Sequence, residues 1–168
     1  DRLISFDAAT GVLRAEAGFS LAELNRIFLP RGFAPPVVPG TQYVTLGGMV
    51  ACDVHGKNHH SDGTFGRHVR GLRMRVPDGR VLEISAASET ELFRATQGGM
   101  GLTGAILEIE VALRRIPSPW LRVETRAFPD IDALIGALRE ASRHSPYTLA
   151  WSDTTARGRA LGRGILIT

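Results

Sequence analysis

The stretch that decides the reading is Pro39 to Gly66, PGTQYVTLGGMVACDVHGKNHHSDGTFG. Neither a period of 2 nor one of 3.6 holds for long within it, and Ala34 to Val38 before it adds Pro35 and Pro36. From Ala34 to His68 the sequence therefore predicts a long loop, and a loop of that length inside a compact domain is usually functional. Gly40, Gly47, Gly48 and Gly56 let backbone N–H groups approach a ligand without side-chain obstruction, and Thr41 and Thr45 add hydroxyl donors. That donor set suits a pyrophosphate. Leu46 to Cys52 is small and apolar enough to lie against a flat ring system, with Lys57 and the nearby histidines as positive or titratable neighbours. The residues themselves point to an anionic, partly flat ligand.

On either side of this block the patterning is regular. Leu3 to Phe6 and Val12 to Ala17 read as a strand pair joined by the turn Asp7 to Gly11. Ser20 and Glu23 form a capping box ahead of the stripe Leu21, Leu24, Ile27 and Phe28, which places a helix at about 20–30, closed by Pro30 and Gly32. After the block, Leu72, Met74 and Val76 alternate with Arg73 and Arg75, and Asp78-Gly79 turns the chain into a second strand, Val81 to Ile84. One face of this hairpin is apolar and the other carries arginine. A short helix is expected at 89–97, with Leu92, Phe93 and Thr96 on one face, then a strand from Thr103 to Leu113. Pro117 and Pro119 mark a boundary, followed by a strand at 120–128, a helix at 129–142 and a last strand at 147–152. Mixed strands and helices without an internal repeat indicate an α+β fold.

Composition narrows the function classes. Of 168 residues 43% are hydrophobic and 22% charged, ordinary values for a globular chain, and no run approaches the roughly 18 apolar residues of a membrane helix. The single cysteine, Cys52, excludes an internal disulfide and a cysteine-based zinc knuckle, and reads as a small, buried, unreactive side chain. The net charge is +3, but the basic residues are scattered and aromatic residues are only 7%, which argues against a nucleic-acid partner. An anionic small molecule suits that charge better.

Two shorter patterns compete with the long block. Gly99-Met100-Gly101-Leu102-Thr103-Gly104 has the spacing of a dinucleotide fingerprint, with Glu124 about 20 residues on. That fingerprint needs a strand before it and a helix after it, and here the order is reversed, so the glycines read as a close-packing turn. His55, His59 and His60, with Asp53 and Asp62, have the ligand types for zinc or iron. Gly56 and Gly63 work against a rigid helical site, so no metal is expected, and His59 and His60 serve either the loop's own structure or the substrate side.

On these residues the block resembles the cofactor-binding segment of the vanillyl-alcohol-oxidase-like, FAD-linked oxidoreductases with a PCMH-type FAD-binding domain. The similarity runs through GT-x-Y-V-T-x-GG, ACD-x-HGKNHH and FG-x-HV, continues in LFRATQGGMGLTGAI at 92–106, and extends more weakly to AWSD at 150–153. The KNHH run is similar to the branch that oxidises the 2′ hydroxyl of a polyprenyl-phosphate-linked ribose, a precursor of cell-wall arabinan, beside a partner reductase that completes an epimerisation.

The resemblance implies that Gly40, Thr41, Thr45, Leu46, Gly47 and Gly48 wrap a non-covalent FAD. Cys52, Asp53, Val54 and His55 would lead toward the isoalloxazine ring, and Ile106 would meet it from the last strand of that domain. His55 is the implied catalytic residue, tuning the flavin or the substrate. The resemblance also implies an internal fragment, with residues 1–116 as the second half of the FAD domain, its N-terminal subdomain missing, and 117–168 as the start of an α+β substrate domain. The catalytic base would then lie outside the span, and the fragment alone would not turn over. An aldonolactone or alditol oxidase is the alternative enzyme, and a non-catalytic flavin-fold binding module the alternative outside enzymes. The cytoplasm is the default compartment, with the periplasm and the membrane surface left open.

Overall fold

A computed structural model describes residues 2–168. The chain has mixed α and β structure in two compact units. One unit runs to Gly56 and resumes over Asp62–Pro119; the other comprises Lys57–Ser61 and Trp120–Thr168.

The first unit is built on five antiparallel strands in the order β1-β2-β6-β4-β5: β1 (Leu3–Asp7), β2 (Val12–Glu16), β4 (Val69–Arg75), β5 (Val81–Ser85) and β6 (Ala105–Ala112). A two-residue pair, β3 (Phe33–Ala34) with β7 (Arg114–Arg115), lies outside that sheet. Alternation sorts the sheet's two faces. Leu13, Ala15, Leu72, Met74, Ile84, Ile109 and Val111 are buried on the inner face. On the other face Arg14 pairs with Glu108, Glu110 and Glu83, and Arg73 with Glu108 at 2.6 Å. Glu108 is held below the usual carboxylate range by its hydrogen bonds from Arg73 and then Arg14. The strand expected from Thr103 to Leu113 is thus half-buried, because Glu108 and Glu110 spend its outer positions on ion pairs.

Helix α1 (Leu21–Phe28) starts at the predicted capping box: the Glu23 amide donates to Ser20 Oγ and the Ser20 amide to the Glu23 carboxylate, each at 3.2 Å. Its face Leu21, Leu24 and Phe28 covers the sheet with Phe65 from the loop region. Helix α4 (Thr90–Thr96) adds buried Phe93 and Thr96.

The segment read as an unstructured loop holds helix α2 (Leu46–Ala51), the single turn α3 (His59–Asp62) and a 3₁₀ turn at Phe65–His68. Two glycines in the first turn of α2 give it a poor intrinsic propensity. Burial of Leu46, Met49 and Val50 overrides that.

The second unit has a three-stranded antiparallel sheet in the order β8-β10-β9, with β8 (Thr125–Phe128), β9 (Leu149–Ser152) and β10 (Gly164–Ile167), and helix α5 (Ile131–Ala141). Asp130 caps α5, accepting from the Ala133 amide at 2.9 Å. Leu134 of α5 and Leu166 of β10 are its buried apolar residues among those described. The strand expected at 120–128 shortens to Thr125–Phe128, the residues in register with β10, and Glu124 and Thr168 exchange both backbone hydrogen bonds at its start. Strand β10 has no counterpart in the sequence reading; its four residues are too short for periodicity to register.

Candidate functional site

Helix α2 is fixed from behind. The Gly47 amide donates to Ala17 O at 2.7 Å, and a Cβ on Gly47 would lie 3.0 Å from Ala17 Cβ. The Leu46 amide goes to Phe19 O, and those of Gly48 and Met49 to Oγ1 and O of Thr45, the N-cap. All four amides at the start of α2 are therefore used by protein acceptors. Gly47 is a close-contact glycine, whereas Gly48 is exposed and its added Cβ would meet only Thr45 Oγ1, at 3.3 Å.

The segment leading into α2 supplies outward donors. The Leu21 and Ala22 amides bind Val44 O and Gln42 O, tying residues 42–44 to the start of α1. Gly40, Thr41 and Thr45 are exposed, and a Cβ on Gly40 would meet nothing within 4 Å. Thr41 Oγ1 accepts from the Tyr43 amide and Thr45 Oγ1 from the Gly48 amide, each at 3.2 Å. With their lone pairs so engaged, both hydroxyls keep their O–H to donate. Among the described residues, no protein acceptor takes the amides of Gly40 or Thr41.

Beyond α2 the chain makes a self-bonded turn. Asp53 has φ +41°, a left-handed conformation uncommon outside glycine, and its Oδ1 accepts from the Gly66 amide at 2.8 Å. A Cβ on Gly66 would lie 2.7 Å from both Asp53 Oδ1 and Gln97 Oε1, so only glycine fits where these groups converge. The Phe65 amide donates to Val54 O, and His55 forms an extended bridge with Thr64. His55 is exposed and Val54 half-buried. Cys52, expected to be buried, is exposed. The inward face of α2 is filled by Leu46, Met49 and Val50, and Cys52 follows as the C-cap, off that face.

A feature missed by the sequence reading is the joining of the glycine turn at 98–101 to α2. The Gly98 amide donates to Val50 O at 3.0 Å and the Met100 amide to Ala51 O at 2.9 Å. Met100, 69% exposed, and Leu102, 87% exposed, are thereby held at the end of α2, and Tyr43 before it is 86% exposed. The turn lies between α4 and β6, the helix-then-strand order that excludes a dinucleotide fingerprint. No local signal marks the pairing, since some 50 residues separate its partners. Ile106 sits half-buried against the core.

The histidine block divides between the two units. His55 belongs to the first, His59 and His60 to the second. His60 Nε2 lies 3.1 Å from Ser145 O, and Asp62 pairs with Arg114. Among the described residues, no three His, Cys, Asp or Glu side chains converge as a metal site would require.

Exposed Gly48, the Thr41 and Thr45 hydroxyls and the exposed apolar side chains Tyr43, Met100 and Leu102 have the chemistry that suits a ligand anionic at one end and flat at the other. The chain belongs to the FAD binding domain family, whose model matches residues 1–85. Over 168 residues, 99% of this chain, it is 36% identical to the decaprenylphosphoryl-beta-D-ribose oxidase of Mycolicibacterium smegmatis, of which it covers 36%. It is 38% identical over 148 residues, 88% of this chain and 40% of the relative, to an uncharacterized protein in the mprA 5′ region of Streptomyces coelicolor. To the L-gulonolactone oxidase of Bos taurus it is 29% identical over 127 residues, 74% of this chain and 28% of the relative. The chain thus spans well under half the length of these relatives.

FAD is the cofactor of this family, and the residues present fit it. A side chain at Gly40 would enter open space and one at Gly48 would crowd only the Thr45 hydroxyl, and phosphate donors are available from Thr41, Thr45 and the Gly40 and Thr41 amides. No helix among the described residues is long and apolar enough to cross a membrane.

Proposed function

We propose that this chain carries part of an oxidoreductase that oxidises a secondary alcohol of a sugar-derived substrate, with decaprenylphosphoryl-β-D-ribose and its 2′-keto form as substrate and product. Residues 1–116 form the C-terminal subdomain of the FAD domain and 117–168 begin the substrate domain. The observation that carries this reading is the exposed Gly48 beside the Thr45 hydroxyl at the start of α2, with the Gly98–Met100 turn hydrogen-bonded to the end of that helix. The likeness to the mycobacterial oxidase supplies the substrate.

FAD, when bound, supplies the acceptor for the hydride leaving the carbinol carbon. The chain's own groups position it non-covalently. Thr41, Thr45 and Gly40 would donate to its phosphates; Gly48 would leave room for it; Leu46 and Gly47 hold α2 in place. Cys52, Asp53, Val54 and His55 would lead toward its ring, with the Asp53 Oδ1–Gly66 amide bond bracing that turn. Ile106 would meet the ring from β6. The exposed imidazole of His55 would polarise the flavin or the alcohol. A partner reductase would consume the ketone and complete an epimerisation.

Titrating the chain with FAD, followed by fluorescence and visible absorbance, tests the site. Saturable binding is expected for the unaltered chain and for His55→Ala, and loss of binding for Gly48→Val. Equal binding by Gly48→Val would remove α2 from the site, and no binding by the whole folded protein, upstream half included, would overturn the reading. The L-gulonolactone oxidase relatives favour a second reading, a sugar-lactone oxidase using oxygen. Peroxide formed during turnover of the whole protein would select it.

A further inference from the structure

The net charge of +3 is not shared between the two units. The first holds 12 basic and 12 acidic residues, which cancel, and the second holds 8 and 5. Within the second unit the excess gathers on the connection from β9 to β10, where Arg157, Arg159 and Arg163 are answered by a single carboxylate, Asp153. Arg163 takes that carboxylate at 3.1 Å. Among the described residues Arg157 and Arg159 enter no ion pair, and both are exposed.

Polar bonds rather than an apolar core order this connection. Its neck is closed by the Asp153 amide, which donates to Arg163 O at 2.8 Å. Asp153 Oδ1 accepts from the amides of Thr155 and Ala156 at 2.9 and 3.2 Å and from the Thr155 hydroxyl at 2.7 Å. A 3₁₀ turn follows at Gly158–Ala160, and the Ile131 amide at the start of α5 donates to Leu161 O at 2.9 Å. Gly162 is buried at that junction, where an added Cβ would lie 2.7 Å from Ile131 Cβ. The backbone is thus braced along its length, yet Arg157, Arg159 and Leu161, the last 54% exposed, keep their side chains in solvent. Cations on a braced loop lose less freedom on binding than cations on a loose one.

We infer that this loop is a docking surface for an anionic lipid bilayer, with the guanidinium groups of Arg157 and Arg159 on lipid phosphates and Leu161 in the headgroup boundary. The sign of the charge selects an anionic partner. The number of side chains selects a bilayer over a protein. A stable protein interface uses about 20–30 residues a side, which two arginines and a leucine do not furnish. At an anionic bilayer each basic residue is by itself worth about fivefold in partitioning. Guanidinium is the cation whose planar fork matches phosphate oxygens, and an apolar side chain set among basic ones is the composition of segments that lie in the lipid interface. None of these residues belongs to the proposed FAD site, so the inference stands apart from that reading.

Cosedimentation with vesicles tests it, using phosphatidylglycerol mixed with phosphatidylcholine against phosphatidylcholine alone. At low salt the chain is expected to partition onto the anionic vesicles only, and to be released as salt is added. Replacing both arginines, Arg157→Ala with Arg159→Ala, is expected to weaken partitioning about twentyfold. Leu161→Ser is expected to weaken it several-fold. Arg26→Ala with Arg94→Ala removes the same charge from exposed positions of the first unit and is expected to leave partitioning nearly unchanged. All of these side chains are exposed, so the melting temperature should stay constant across the set. Overturning results are no sedimentation with anionic vesicles, equal sedimentation with neutral ones, unchanged partitioning in the loop double variant, or an equal loss in the Arg26 and Arg94 control. Binding of soluble polyglutamate as tight as that of the vesicles would assign the loop to an acidic protein and overturn the bilayer. FAD titration of the loop variants is expected to match the unaltered chain, which keeps a failure here distinct from a failure of the flavin site.

Discussion

The two units differ most in how much apolar surface they bury. The first gathers 21 buried apolar side chains into one cluster, whereas among the described residues the second buries two, Leu134 and Leu166. The second unit instead exposes Trp120, Leu121, Val123 and Trp151, each above 60%. Burial scales with stabilisation at roughly 25 cal/mol per Å² of apolar surface, so among the described residues the first unit carries most of the hydrophobic stabilisation.

Paired truncations would test that contrast most strongly. Phe65 is fully buried in the large cluster, and Phe65→Ala is expected to cost about 3–5 kcal/mol in denaturant unfolding. Leu134→Ala removes one of two anchors, and its loss should be confined to its own unit: amide exchange quickens in β8 and β10 while protection in β4 and β6 is unchanged. Equal loss of protection in both units would break the comparison.

Next in size, the adjacent glycines of α2 separate scaffold from site. Gly47→Val drives a side chain onto Ala17 and should cost about 1–3 kcal/mol, whereas Gly48→Val should leave the melting temperature nearly unchanged. A larger loss at Gly48 would give it the structural task assigned here to Gly47.

The smallest effect is electrostatic. Glu108 titrates below its ordinary value of 4.5 in the folded chain, so its contribution is complete above that pH and disappears as the pH falls through the lowered folded value. The unfolding midpoint of the first unit should drop across that interval, and Glu108→Gln should flatten the dependence. Asp153, held at about 2 by Thr155 and then by Arg163, places the matching loss in the second unit between 3.8 and about 2. Loss in the second unit at the higher pH would contradict this order.

Local chemistry made most of the first unit legible. The Ser20–Glu23 box, the Asp78-Gly79 turn and the alternation of Leu72 and Met74 with Arg73 all depend on neighbours a few residues away. Helix α2 was missed because Gly47 and Gly48 suppress propensity, although Thr45 as cap and Leu46, Met49 and Val50 at i, i+3 and i+4 carried a signal. The exposure of Cys52 follows from that missed helix. The union of α2 with Gly98–Met100 and the membership of 57–61 in the second unit are long-range facts, beyond the reach of any window along the chain. In the second unit the strands expected at 120–128 and 147–152 contain β8 and β9, and only β10 has no expected counterpart.

The membership of residues 57–61 in the second unit has a genetic consequence. Because residues 57–61 are encoded inside the first unit yet complete the second, no single crossover near Pro119 transfers the second unit whole. A recombinant joined there would inherit the 145–148 loop without the Lys57 carbonyl that Thr148 bonds or the His60 ring beside Ser145 O, and any exchange between related genes that keeps the unit intact must carry both segments together.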